Sequence, residues 1–192
     1  MKLRSLIATG LIALTMCSTA FAAERYDGNK IIAGEGIPEG YYCLYNTSET
    51  RSASYSIKNG SYKLVNDTFN YNAIVYLDSD DVLYMENCYA VPLDDARINP
   101  INEFMGEVGT HVRPGEYQLV FLRDSSQSGL CTIYNSIDFH NYYDDDEDTD
   151  AEEDNIEKEV KVSNGSDTTI ELEEGQYVKL DGCYLTDVDD DD

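Results

Sequence analysis

The residues best equipped for chemistry are the carboxylates of one run, YYDDDEDTDAEEDNIEKE (142–159), together with four cysteines and two histidines. Asp146, Asp148, Asp150 and Glu157 fall at positions 1, 3, 5 and 12 of a calcium loop, a spacing that places oxygen ligands around one hard cation. The pattern lapses where geometry matters: Ala151 stands at position 6, where the loop needs glycine for its sharp turn, and Glu153 stands at position 8 in place of an apolar residue. In so acidic a run, carboxylates at any spacing arise by chance. No cofactor is therefore expected, calcium being the one weak candidate, and a solvated acidic loop is the expectation.

His111 and His140 lie in no Gly-x-Ser-x-Gly elbow, and neither accompanies a nucleophile in a recognisable triad. No Cys-x-x-Cys pair or Cys/His cluster of zinc spacing occurs. The chain has no tryptophan, the commonest sugar-stacking platform, but sixteen tyrosines against five phenylalanines. Tyrosine offers contact area at low entropy cost. Tyr41, Tyr45, Tyr55, Tyr84 and Tyr134 fall outside the expected core register and are the candidate interaction surface. These features favour a non-enzymatic binding or surface-interaction protein of unknown ligand. A structural, envelope-associated or oligomer-forming protein is the alternative, with a carboxylate-based hydrolase behind both.

The formal charge of −25 opposes binding to nucleic acid or anionic lipid and favours a cationic or protein partner. Lys2 and Arg4, the apolar run LIATGLIALTM and Ala20-Phe21-Ala22 read as a signal peptide over 1–22. Its removal would take two cations and no acid, leaving −27. The apolar run falls short of the roughly 20 residues a transmembrane helix needs. A lipid anchor on Cys17 is disfavoured, because Met16 stands where a lipoprotein signal carries a small residue. Export to a bacterial periplasm or beyond follows. Cys43, Cys88, Cys131 and Cys183 then read as two disulfides, Cys43–Cys88 and Cys131–Cys183 in the simplest scheme.

The elements that position these residues come in two copies. GEGIPEGYYCL (34–44) aligns with GTHVRPGEYQL (109–119) at an offset of 75, and SYSIKN (54–59) with LCTIYN (130–135) at 76. IVYLDSDDVLYMENCYA (74–90) aligns with TIELEEGQYVKLDGCYL (169–185) at 95. The surplus in the second copy is the acidic insertion, near 138–159. The runs YYCLY, SASYSIK, AIVYL and VLYMENCYAV read as strands, with Asn59-Gly60 as a hairpin signal. Even spacing nominates Leu83, Met85 and Tyr89 for the core, with Val178, Leu180 and Tyr184 as their equivalents; Tyr42 and Leu44 pair likewise with Tyr117 and Leu119.

The expected fold is all-β: a pseudo-symmetric sandwich or barrel of two tandem four-stranded modules, 23–100 and 101–192, stabilised by disulfides. The second module ends in an acidic tail, 187–192. The paired phrases IAGEGIPEGYYCLY and VGTHVRPGEYQLVF resemble a repeated module of uncharacterised exported bacterial proteins, marked by glycine followed by Ile-Pro-x-Gly-x-Tyr. The resemblance implies a β module and export, and no activity.

Overall fold

The computed structural model describes residues 24–100, 103–122, 128–140, 155–166 and 168–188. The proposed signal peptide, most of the acidic insertion and the last four residues lie outside them. Among the described residues the regular elements are strands, apart from one 3-10 turn at Leu93–Asp95 and a helical residue at Asn155. Among the described residues no helix is long and apolar enough to cross a membrane.

The first half supplies β1 (Lys30–Ile32), β2 (Gly40–Asn46), β3 (Ala53–Asn59), β4 (Tyr62–Phe69), β5 (Asn72–Leu77), β6 (Asp81–Glu86) and β7 (Cys88–Pro92). The second supplies β8 (Met105–Glu107), β9 (Gly115–Phe121), β10 (Gly129–Tyr134), β11 (Ile156–Val162), β12 (Thr168–Leu172), β13 (Tyr177–Asp181) and β14 (Cys183–Asp187). They form four antiparallel sheets in the orders β1-β6-β3-β4, β5-β2-β7, β11-β10-β13-β8 and β12-β9-β14, and none closes into a barrel. Position for position, the second half repeats the sheet order of the first. Among the described residues each half has seven strands where the sequence pattern announced four.

One long expected strand, VLYMENCYAV, breaks in two at Asn87. Asn87 adopts φ 59°, and its equivalent Gly182 adopts φ 65°. A left-handed residue ends one ladder and redirects the chain, so β6 joins the four-stranded sheet and β7 the three-stranded one. The break also resets the alternation. Leu83 and Met85 are buried as expected, whereas Tyr89 faces outward beside Tyr45 and its equivalent Tyr184 is only half-buried. The hairpin signalled by Asn59-Gly60 forms one residue later: Asn59 pairs with Tyr62, and Gly60 takes φ 58°.

The recurring phrase has a structural meaning. Ala33 bridges Ile37, and Val108 bridges Val112, in the same short parallel contact. The Tyr42 hydroxyl donates to the Pro38 carbonyl at 2.9 Å, as Tyr117 does to Arg113 at 2.8 Å. The glycine two residues before that tyrosine, Gly40 or Gly115, has φ of 138° or 148°, which side chains resist. Proline is thus dispensable in the second copy, because only its carbonyl is used.

The halves interlock. Met105, Tyr134, Ile137 and Phe139 of the second half enter the buried cluster of the first, beside Ile74, Val75 and Leu77. The Asn72 side chain donates to the Met105 carbonyl at 2.7 Å and accepts from the Met105 amide at 3.2 Å. Lys179 on β13, 7% exposed, places its ammonium 2.7 Å from Asp67 on β4. A second cluster around Leu119, Ile133, Ile170, Val178 and Leu180 fills the second half.

The expected disulfides are absent: all four cysteines are free thiols. Register explains the first pair. Cys43 faces Val91 on β7, whereas Cys88 faces Asn46, three residues further along β2. An odd step puts the two side chains on opposite faces and separates them by ~10 Å along the strand, beyond the reach of a disulfide. Cys131 and Cys183 share the second core, but the Cys183 thiol lies 3.5 Å from the Leu130 carbonyl instead of bonding Cys131.

Candidate functional site

The root of the acidic insertion is where the described residues gather most of their unusual chemistry. Beyond β10 the chain alternates: Ile137 and Phe139 plug the first core, while Asp138 and His140 turn to polar partners. His140 Nε2 lies 2.9 Å from Asp81 Oδ2, and Nδ1 lies 2.7 Å from Asp138 Oδ1. Asp81 is fully buried at the start of β6, and it also accepts from Asn59 Nδ2 and from the Asp78 amide, each at 2.9 Å. Burial of the imidazole lowers its pKa, but hydrogen bonds to Asp81 and then Asp138, reinforced by their charges, carry it above the ordinary histidine value. When protonated, the ring donates from both nitrogens, to Asp81 of the first half and to Asp138 of the second, and so clasps the two halves.

The second copy shows how this clasp arose in the pattern. Gln176 occupies the position of Asp81, and its Oε1 accepts from the Glu173 amide at 2.7 Å, the same turn lock as Asp81 with Asp78. In the first half the lock is an acid, and its charge recruits His140. Asn155 closes the root from the other side of the insertion, donating to the Asp138 carbonyl and accepting from the Asn135 amide, each at 3.0 Å.

Beside the clasp stands an aromatic platform. Tyr76 meets His140 edge-on at 6.0 Å, and Tyr41 meets Tyr76 across β2 and β5 at 4.8 Å. Tyr41 is 46% exposed. Burial raises the Tyr76 phenol above its usual value, and Asp78, Asp138 and Glu39 add to the shift. Tyr177 of β13 adjoins Tyr41; burial pushes its phenol up to about 12, with Glu107 and Tyr41 contributing. The Tyr41–Tyr76 pair thus feels the charges of Glu39, Asp78 and Asp138, and Tyr177 that of Glu107. Aromatic faces next to carboxylates attract an ammonium or guanidinium group.

The five nominated tyrosines do not share one surface. Tyr41 belongs to the platform. Tyr45 stacks on Tyr89 at 5.5 Å, and its hydroxyl accepts from the Arg97 amide at 2.8 Å. Tyr84 is flanked by the ammonium groups of Lys30 and Lys58, 5.8 and 5.5 Å from its ring. Tyr55 and Tyr134 are buried, which corrects their assignment. Tyr55 shares the parity of the core residue Ile57, and Tyr134 lies on a sheet face that the first half covers.

Asp146, Asp148 and Asp150 of the calcium pattern lie outside the described residues. Glu157 sits on β11, and its carboxylate accepts from Gln176 Nε2 at 2.6 Å. No group of three metal-ligating side chains forms among the described residues. His111 accepts the Glu107 amide at Nδ1, 3.1 Å, and burial lowers its pKa against the opposing charge of Glu107, leaving it neutral and structural.

Asp81, Asp138, Tyr76 and Tyr177 escaped the sequence reading. The one available signal was the repeat, in which an amide at 176 faces an acid at 81 and a glutamate at 171 faces a tyrosine at 76. No protein-family model, curated protein or solved structure matches the chain.

Proposed function

We propose that this chain is an exported, non-enzymatic binding protein whose platform of Tyr41, Tyr76 and Tyr177 takes up lysine- or arginine-bearing segments of a protein partner. The observation that carries the reading is the exposed Tyr41 ring against the half-buried Tyr76, with carboxylates nearby at the root of the most acidic segment of the chain. The insertion attracts the cationic partner over distance, and the platform holds it by cation–π contact. Both histidines are tied into structural hydrogen bonds, which supports a role without catalysis. Export rests on the signal-like residues 1–22 alone, since the free thiols lend it no support. The two halves are read as duplicated modules, with the insertion as the functional elaboration of the second.

Titration with an oligoarginine peptide tests this. Tyr41→Ala is expected to weaken binding by about two- to fivefold, the range of an exposed cation–π contact. Replacing residues 144–154 by a Gly/Ser loop should weaken binding further and flatten its salt dependence. Tyr71→Ala, at a tyrosine 55% exposed beside Asn46, at the far end of β2 from Tyr41, should leave it unchanged. Equal losses in the Tyr41 and Tyr71 variants would refute the platform.

A further inference from the structure

The contact between the halves is heterologous, and it leaves two unmatched ends. The second half uses the outer face of its four-stranded sheet, presenting Met105, Tyr177 and Lys179. The first half receives it on the flank formed by β4 and β5, at Asp67, Asn72, Ile74 and Tyr76, with Tyr41 alongside. Because the sheet order repeats, the first half owns the same outer face and the second half owns the same flank, and no strand of the other half packs on either among the described residues.

The repeat offsets identify the residues. On the free face, Lys30 takes the place of Met105, Lys58 of Tyr134, Val82 of Tyr177 and Tyr84 of Lys179. Cross-strand pairing of Lys30 with Tyr84, Ser56 with Tyr84 and Lys58 with Lys63 puts these side chains on one side of the sheet. Lys30, Lys58 and Lys63 are exposed there, with Glu86 as the acid on the same face. On the free flank, Thr169 replaces Ile74, Glu171 replaces Tyr76 and Glu116 replaces Tyr41. Glu116 and Glu171 are exposed and stand directly opposite each other across β9 and β12, with Lys161 at the margin. Like charges in that relation destabilise a sheet unless a cation lies between them. Where the internal contact pairs tyrosines, the free flank thus offers two carboxylates, and the free face offers lysines around a tyrosine.

We propose that a second copy of the chain docks its Lys30/Lys58/Tyr84 face onto the Glu116/Glu171 flank of the first, continuing the internal contact head to tail. Placed by the internal geometry, Lys30 falls against Thr169 and within a side chain's reach of Glu171. Such a contact is heterologous and open, so it builds linear oligomers and not closed dimers. The polar character of both faces makes each step weak and concentration-dependent.

Charge reversal on each face tests this by sedimentation equilibrium from micromolar to millimolar protein. The wild-type mass should rise steadily past that of a dimer. Lys30→Glu/Lys58→Glu and Glu116→Lys/Glu171→Lys should each remain monomeric alone. Mixed one to one, they should associate again past a dimer, through the wild-type charge pairing at one junction and its charge-swapped counterpart at the next; that rescue also shows both are folded. A wild type that stays monomeric throughout, one that saturates at a dimer, either variant associating alone as the wild type does, or a mixture that stays monomeric would overturn the proposal.

Discussion

At the scale of single residues, His140 dominates the expected response to pH. Its pKa is raised in the folded protein, so the clasp contributes its full stability below the unfolded value of about 6.5 and loses it as pH climbs through the folded value. His140→Ala strands the buried Asp81 carboxylate and should cost on the order of 3 kcal/mol near pH 6, shrinking towards pH 9. Urea unfolding of both proteins across that range checks this; a difference independent of pH would mean the ring acts by packing alone. The cysteines make a second residue-scale prediction. Burial pushes Cys43, Cys131 and Cys183 up to about 12 and the more accessible Cys88 to about 11. A thiol reagent should label Cys88 first and the other three only on unfolding, whereas fewer than four reactive thiols in denaturant would reveal disulfides. Composition and compartment suggested pairing, but pairing depends on strand register, which no spacing of cysteines encodes. Tyr55 was legible from the parity of Ile57; Tyr134 was not, since its burial comes from the other half of the molecule.

Elements follow from local chemistry more directly. The two-copy pattern and its strand runs were plain in the sequence because repeated turns require the same residues: Gly175 with φ 89° matches Asp80 with φ 69°, as Gly182 matches Asn87. The split of the last strand was hidden, because asparagine tolerates left-handed backbone without advertising it as glycine does. Asn87→Val should destabilise by about 1–2 kcal/mol and Asn87→Gly should be close to neutral, measured by thermal unfolding; equal effects would mean the left-handed turn is not what divides β6 from β7. The short strands β1 and β8 escaped notice because three residues carry too little alternation to read.

At the scale of the whole molecule, two halves of similar sheet order are held by unlike surfaces. Met105, the buried Lys179–Asp67 pair and the His140 clasp join them, so the halves should unfold together. Removing one partner of the ion pair is costly, on the order of 3–5 kcal/mol, whereas replacing both by apolar residues is often neutral. Lys179→Ala should therefore destabilise far more than Lys179→Met combined with Asp67→Leu, read by denaturant midpoint. Charge of −25 was legible at once and pointed to a cationic partner, but the platform that gives this attraction a place is assembled from β2, β5 and β13 of different halves, beyond the reach of any local motif. The most direct test is to follow the tyrosine ring and His140 imidazole resonances during addition of the oligoarginine peptide. Saturable shifts at Tyr41, Tyr76, Tyr177 and His140, with Tyr71 unmoved, are predicted. Shifts that do not saturate and spread evenly over the exposed tyrosines would contradict a built site and leave only diffuse charge attraction.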